Sequence, residues 1–265
     1  MQDILKIEKT QESIVRLTLN DEKTGNSLSD KMINTLSSII KEISADKSIK
    51  VIIIASTGKI FCSGHNLKEI TTARESSDHG ENYFKNLFQS CSILMQSIVN
   101  CPKPVIAEVD GVATAAGCQL VASCDLAIAS DSSSFATPGV NLGLFCSTPM
   151  VALSRNVKKK DAMKMLLTGD MIDSIEAKRI SLINDHVPSK NLSVEVMNLA
   201  RKIASKSMQT VKIGKSAFYK QAELSLYEAY KYTSEIMAEN TLNEDAKEGI
   251  SSFLEKRDPN WSDSK

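Results

Sequence analysis

Residues 51–55 read Val-Ile-Ile-Ile-Ala, an uninterrupted apolar run in which the first four side chains are all β-branched. Such a run offers no polar face to water. As a strand it must be covered on both sides, the condition of an interior strand in a parallel sheet flanked by helices. Residues 105–109 and 125–129 read as two further strands of this kind. Two shorter strands, residues 4–8 and 13–19, precede them around a polar turn at 9–12. Helical spacing fills the gaps. Ser29 and Asp30 suit the cap of a helix whose apolar stripe is Met32, Ile33, Leu36, Ile39, Ile40 and Ile43, and residues 83–99 resume the same period until Pro102 and Pro104 end it. Residues 69–82 are polar, which predicts a mobile loop or frayed helix, and residues 111–123 are small and are expected to become a helix. From about Asp161 onward only helices are expected, at 162–167, 174–181, 192–206 and 224–242, the last amphipathic through Leu226, Tyr230, Ile236 and Met237 and suited to packing on a partner. Strands alternating with helices, then helices alone, argue for an α/β core (residues 1–195) followed by a helical oligomerisation segment (196–265).

Charge excludes several classes of partner. Lys plus Arg and Asp plus Glu are both 32, so no net field draws in nucleic acid or an anionic membrane, and an anionic ligand must be met by locally placed groups. No apolar stretch approaches the length of a membrane span. The N-terminal residues show neither a signal-peptide nor a transit-peptide pattern, which leads to an expectation of a cytoplasmic protein. Cys62, Cys91, Cys101, Cys118, Cys124 and Cys146 form no C-x-x-C pair and lie in small or apolar surroundings, as expected of reduced, buried thiols. With His65, His79 and His186 the only histidines, no metal site is expected.

Two segments place small residues just after a buried strand: Phe61-Cys-Ser-Gly-His-Asn-Leu-Lys-Glu69 and Gly111-Val-Ala-Thr-Ala-Ala-Gly-Cys-Gln119. Small residues let backbone N–H groups approach a ligand, and a helix N-terminus adds unpaired donors and a positive dipole end. Two such donors make an oxyanion hole. Tight packing turns would give the same pattern, so spacing alone leaves both readings open.

The first segment resembles the F-x-x-G-x-D-[LI]-K-E run of the crotonase (enoyl-CoA hydratase/isomerase) family. Pro102-Lys-Pro-Val-Ile-Ala-Glu-Val-Asp-Gly111 and its continuation to Asp125 resemble the signature P-K-P-x-I-A-x-V-x-G-x-x-x-G-G-G-x-E-L-x-x-x-C-D. Leu167-Thr-Gly-Asp, Ala177-Lys and Glu248-Gly-Ile-Ser-Ser-Phe-Leu-Glu-Lys-Arg257 also match, in family order. The resemblance implies a spiral of repeated ββα units with C-terminal helices that assemble subunits as a homotrimer or dimer of trimers. It implies an acyl-CoA substrate, with no separate cofactor, and an enzyme nominally an enoyl-CoA hydratase of fatty-acid metabolism. Carried over by motif, the backbone N–H groups of His65 and Ala116 form the oxyanion hole. Ser63, His65, Asn66, Leu67 and Lys68 lie along the pantetheine and adenosine, and Phe253 and Lys256 help hold the nucleotide end. Lys68 and Lys256 fit equally well as solvated surface charges.

The chain departs from this pattern where the resemblance puts its two glutamates: one position is Gln119 and the other Gly139, within Phe135-Ala-Thr-Pro-Gly-Val-Asn-Leu-Gly143. Positioned acid–base groups typically contribute about 10²–10⁴-fold each. Losing both independently would remove roughly 5–10 kcal/mol of transition-state stabilisation, less if they act as a unit. Gly-Gly-Gly is also altered, to Ala115-Ala116-Gly117, which keeps the N–H groups but adds methyls. His65, where alanine is common, fits either a donor to the acyl group or a cover at the pocket mouth. Ser63-Gly64-His65, with Asn141 between Pro138 and Gly143, is similar to decarboxylating members acting on malonyl-type CoA esters, and a non-catalytic acyl-CoA-binding regulatory oligomer is the third reading. Asp125 is expected to be structural, and Glu108 and Asp110 to serve turns or the surface.

Overall fold

The computed structural model describes residues 3–264. The strands among the described residues are β1 (Leu5–Lys9), β2 (Ile14–Leu19), β3 (Val51–Ser56), β4 (Ile60–Cys62), β5 (Val105–Val109), β6 (Val112–Thr114), β7 (Leu126–Ser130), β8 (Ser134–Ala136), β9 (Ile172–Asp173) and β10 (Asp185–Val187). The helices are α1 (Asp30–Ala45), α2 (Leu67–Ala73), α3 (Glu81–Val99), α4 (Ala116–Ser123), α5 (Pro149–Asn156), α6 (Lys159–Thr168), α7 (Ser174–Arg179), α8 (Ser189–Ala204), α9 (Met208–Gln221), α10 (Leu226–Thr241) and α11 (Glu244–Glu255).

One sheet has the order β1-β2-β3-β5-β7-β10, parallel except for the β1–β2 pair, and the second has the order β4-β6-β8-β9. Each of the pairs β3–β4, β5–β6 and β7–β8 gives one strand to each sheet before the chain turns into a helical or 3₁₀ segment, so successive units stack as a spiral. This is the expected α/β architecture. β3 and β5 are buried along nearly their whole length, as their unbroken apolar runs require. Ser29 Oγ accepts from Met32 N at 3.2 Å and caps α1, which buries Met32, Ile33, Leu36, Ile40 and Ile43.

The structure differs from the sequence reading in definite places. Residues 111–123 hold strand β6 before α4, and the polar stretch 69–82, expected as a loop or frayed helix, is divided between the end of α2 at Ala73, turns, and the start of α3 at Glu81. The C-terminal half is not helices alone: β9 and β10 join the two sheets. These strands have only two or three residues, too few for a period to register. Position 195/196 falls within α8, whose Leu192, Val196, Ala200 and Ala204 cover Ile14, Val51, Ile53 and Ile106 on the outer face of the first sheet.

Glu108 is not at the surface. It is buried, and its Oε1 accepts from Arg16 Nη1 at 2.6 Å, beneath α8. Asp110 accepts from Ser189 Oγ at 2.7 Å at the start of α8. Asp125 has the structural role expected, and a larger one. Its carboxylate accepts from Val105 N (2.7 Å), Lys215 Nζ (2.7 Å) and Tyr219 OH (2.9 Å), and the same ammonium donates to the carbonyls of Ile98 and Lys103. Helix α9, absent from the sequence reading, is thereby pinned to the core by a nearly buried ion pair. Removing one partner of such a pair strands the other charge, at about 3–5 kcal/mol. Lys215→Met should therefore lower stability by about that much, with amide exchange accelerated first in α9. Unchanged exchange across α9 would show that the pair holds nothing in place.

Candidate active site

Strands β4 and β6 pair in parallel and deliver the two small-residue turns side by side. Thr114 Oγ1 donates to Ser63 O at 3.1 Å, tying one turn to the other. Gly64 has φ +95°, and a Cβ there would stand 2.9 Å from Ala115 Cβ and 3.3 Å from Ala116 N, so glycine is required by both conformation and space. Gly117 allows an equally close approach: a Cβ there would meet Cys62 O at 2.0 Å. His65 follows one close-packed residue and Ala116 begins α4 beside it. Among the described residues, neither the His65 N–H nor the Ala116 N–H donates to a protein acceptor. Ala116 is fully buried, so its free donor is not spent on bulk water.

Ala115, the N-cap of α4, sits at φ 51°, ψ −117°, a conformation natural to glycine and costly to a residue with a Cβ.

The imidazole of His65 lies edge-on to Phe88, with ring centroids 5.4 Å apart, and its Nδ1 is 3.4 Å from Leu28 O. Burial lowers its pKa, against smaller opposing effects from Leu28 O and Asp30, so the ring is neutral at pH 7. A carbonyl can only accept, so Nδ1 carries the proton and Nε2 bears a lone pair. Nε2 is buried without a partner. Of the two roles the sequence leaves open for His65, donor to the acyl group or cover at the pocket mouth, the ring does not favour the donor, since Nε2 is an acceptor.

Asn66 caps α2, its side chain accepting from Lys68 N at 3.0 Å, and Ser63 Oγ donates to Thr24 O at 3.2 Å. Leu67 and Lys68 line an open depression with Thr71 and Thr72. Phe253 and Lys256, on and just after α11, are exposed, and α11 packs on α9 and α10. No hydrogen bond or ring contact among the described residues joins them to the His65 or Ala116 segments.

Gln119, one turn into α4, is 4% exposed, and its Oε1 has no partner. Gly139 is closed over by the following loop. Leu144 N donates to Gly139 O at 2.9 Å, and a Cβ at Gly139 would stand 2.9 Å from Cys146 Sγ and 3.0 Å from Leu144 O. Cys146, expected only as one of six buried thiols, occupies the space beside position 139. Burial pushes the Cys118 thiol up to about 12 and raises that of Cys146, which leaves little thiolate for nucleophilic chemistry. Thr137, which the sequence reading did not single out, is fully buried with an unpartnered hydroxyl. Its only sequence signal was its place inside the 135–143 motif.

A family model described as enoyl-CoA hydratase/isomerase matches residues 9–264. The chain belongs to the enoyl-CoA hydratase/isomerase family. It is 49% identical over 251 residues to the human enoyl-CoA hydratase domain-containing protein 3, mitochondrial, covering 95% of this chain and 81% of that protein. It is 48% identical over 260 residues to the Xenopus laevis protein of the same name, covering 98% and 87%. A crystal structure of human enoyl-CoA hydratase domain-containing protein 3 superposes with a TM-score of 0.93 at 47% identity, covering 98% of this chain and all of that one. An enoyl-CoA hydratase structure from Mycobacterium smegmatis gives 0.93 at 42% identity, covering 98% and 99%. The spiral fold is thus the crotonase fold. The cytoplasmic expectation is overturned: the similar frog, mouse and human proteins are all named as mitochondrial. Targeting segments are removable addresses outside the packed fold, so the residues that build a core carry no such information.

Strain at Ala115 and closure at Gly139 predict substitutions of opposite sign. Ala115→Gly should raise stability by about 1 kcal/mol, relief of strain outweighing the entropy of glycine. Gly139→Ala should lower it by about 1–3 kcal/mol by forcing Cys146 or the Leu144 carbonyl aside. Thermal melts of the two variants moving in the same direction would contradict this description of the site.

Proposed function

We propose that this crotonase-family protein is an acyl-CoA enzyme that holds the thioester carbonyl oxygen between the N–H groups of His65 and Ala116. One observation carries the reading: two turns pressed together at Gly64 leave a neighbouring pair of backbone donors unspent. Donors fixed before the reaction stabilise the oxygen as negative charge develops on it, as in the enolate formed when the α-carbon gains electron density. The Leu67–Lys68 surface would follow the pantetheine and adenosine. Phe253 and Lys256 make no hydrogen bond or ring contact with this site among the described residues and would meet the nucleotide end through assembly of subunits. The exposed Leu226, Tyr227, Tyr230 and Met237 of α10 support a homotrimer or dimer of trimers.

Hydratase is the nominal activity, and the similar proteins favour a mitochondrial setting. Hydration of an enoyl thioester needs one group to take a proton from water and another to give one to the α-carbon. Gln119 has no usable pKa, and Gly139 has no side chain and no room for one. We therefore propose slow hydration. The uncharged surroundings of Gln119, Gly139 and neutral His65 favour a second reading, loss of CO₂ from a malonyl-type CoA ester, in which the electron pair of the breaking bond passes into the held enolate. A binder without turnover is the third.

Binding of acyl-CoA esters followed by calorimetry, with assays on crotonyl-, malonyl- and methylmalonyl-CoA, tests these together. Binding is expected, with crotonyl-CoA hydration at least about 100-fold below the ~10 s⁻¹ of an ordinary enzyme. Hydration near that ordinary rate would show that the acid–base reading is wrong, and failure of every ester to bind would remove the proposal.

A further inference from the structure

Helix α11 is docked without a buried apolar stripe. It buries two residues, Asp245 and Ser252, and both are polar, while Ile250, Phe253 and Leu254 are exposed. Its place on the subunit is therefore set by directed contacts, and most of them come from the residues that follow it. Arg257 N donates to Ser252 O at 3.0 Å, and the Arg257 guanidinium donates to both carboxylate oxygens of Glu248, at 2.6 and 2.9 Å. Asn260 N donates to Glu248 Oε1 at 2.7 Å, and Ser262 N donates to Asp245 Oδ1 at 2.8 Å. The Trp261 ring lies over Gly249, where a Cβ would meet it at 3.2 Å.

The same residues grip the rest of the subunit. Trp261 Nε1 donates to Ser205 O, at the end of α8, at 2.9 Å. Asp263 accepts from Met208 N at 2.7 Å in the first turn of α9, where a carboxylate suits the helix dipole, and from Lys50 Nζ at 2.9 Å just before β3. Residues 257–263 are thus a strap with one side on α11 and the other on α8, α9 and the entry to β3. Such bonds are modest singly but act together, because breaking one exposes the next. The strap begins directly at Lys256, the C-cap of α11, which the turn holds at φ 58°.

We infer that Trp261 and Asp263 are positioning residues for the nucleotide end of the acyl-CoA, acting through α11 on Phe253 and Lys256. This rests on the acyl-CoA reading above and on the place it gives those two side chains. Groups fixed before binding lose less freedom when the ligand arrives, so a secured α11 binds the nucleotide more tightly than a loose one. The thioester end, held by the turns at Gly64 and Ala115, does not depend on the strap.

The test is calorimetric titration of the full chain with butyryl-CoA and with butyryl-pantetheine, which keeps the thioester and lacks the nucleotide. The proteins are the wild type, the double variant Phe253→Ala/Lys256→Ala, Trp261→Ala, Trp261→Phe and Asp263→Asn. Trp261→Ala and Asp263→Asn should each weaken butyryl-CoA binding about three- to tenfold and leave butyryl-pantetheine unchanged. Trp261→Phe, which keeps a ring over Gly249, should recover most of that loss. Amide exchange in α11 should accelerate in Trp261→Ala, and unchanged exchange there would overturn the inference. Equal losses for the two esters would also overturn it, since the strap would then serve stability alone. Wild-type affinity for butyryl-CoA in both strap variants, with the double variant weakened, would overturn it and leave the acyl-CoA reading intact. A double variant that binds butyryl-CoA as the wild type does would remove the role of α11 and this inference together. If the wild type binds no butyryl-CoA, the acyl-CoA reading falls first.

Discussion

The site depends on the approach of Gly64 to the peptide between Ala115 and Ala116. Two parallel strands of three residues each are too short to fix a turn by themselves. The contact between their turns does so, with the Thr114 hydroxyl on the Ser63 carbonyl and glycines at 64 and 117 removing the atoms that would collide. Once those turns touch, the amides of His65 and Ala116 that follow them have no acceptor among the described residues. A side chain at position 64 would push the strands apart and lose both donors together. The spiral serves this contact: it carries β3, β5 and β7 in one sheet and β4, β6 and β8 in the other, so turns that are distant in sequence arrive at neighbouring levels.

The same region concentrates what a stable fold avoids: a non-glycine residue at positive φ, orphaned polar atoms on Gln119, Thr137 and His65, and a half-buried neutral histidine. Stability comes from elsewhere. The doubly covered strands and the stripe of α1 bury the aliphatic core, and the Asp125–Lys215–Tyr219 network fastens α9 to it. Such a division is expected where preorganisation is used for chemistry, because strain persists only when its surroundings over-determine it.

Much of this was legible in the residues. Five consecutive apolar side chains at 51–55 required an interior strand, and Ser29 and Asp30 with the stripe from Met32 to Ile43 located the start of α1 to within one residue of its cap, Ser29. The turns at Gly64 and Ala115 were visible as small residues after strands, and their order along the chain carried the family resemblance. The three-residue strands β4, β6 and β8 were not, because their pairing depends on partners rather than on any local period. Nor was α9, whose amphipathic pattern is weak and whose anchor is a lysine reaching a carboxylate ninety residues away. Glu108 shows the limit of reading charge as exposure: its partner Arg16 lies on another strand, and no local pattern links them. Cys146 beside Gly139 was beyond sequence reasoning, since only the folded loop shows that the space is filled.

The convergence of two backbone donors on one carbonyl oxygen can be observed directly in the vibrational spectrum of a bound thioester. Isotope-edited difference infrared spectroscopy of acyl-CoA labelled with ¹³C at the thioester carbonyl isolates that one stretch from the protein amides. Two hydrogen bonds from fixed N–H groups polarise the C=O bond and weaken it. The band should move to lower frequency on binding and narrow as the carbonyl adopts a single environment. A band left at its aqueous position and width would contradict the account, because the carbonyl would then be no better held by His65 and Ala116 than by water.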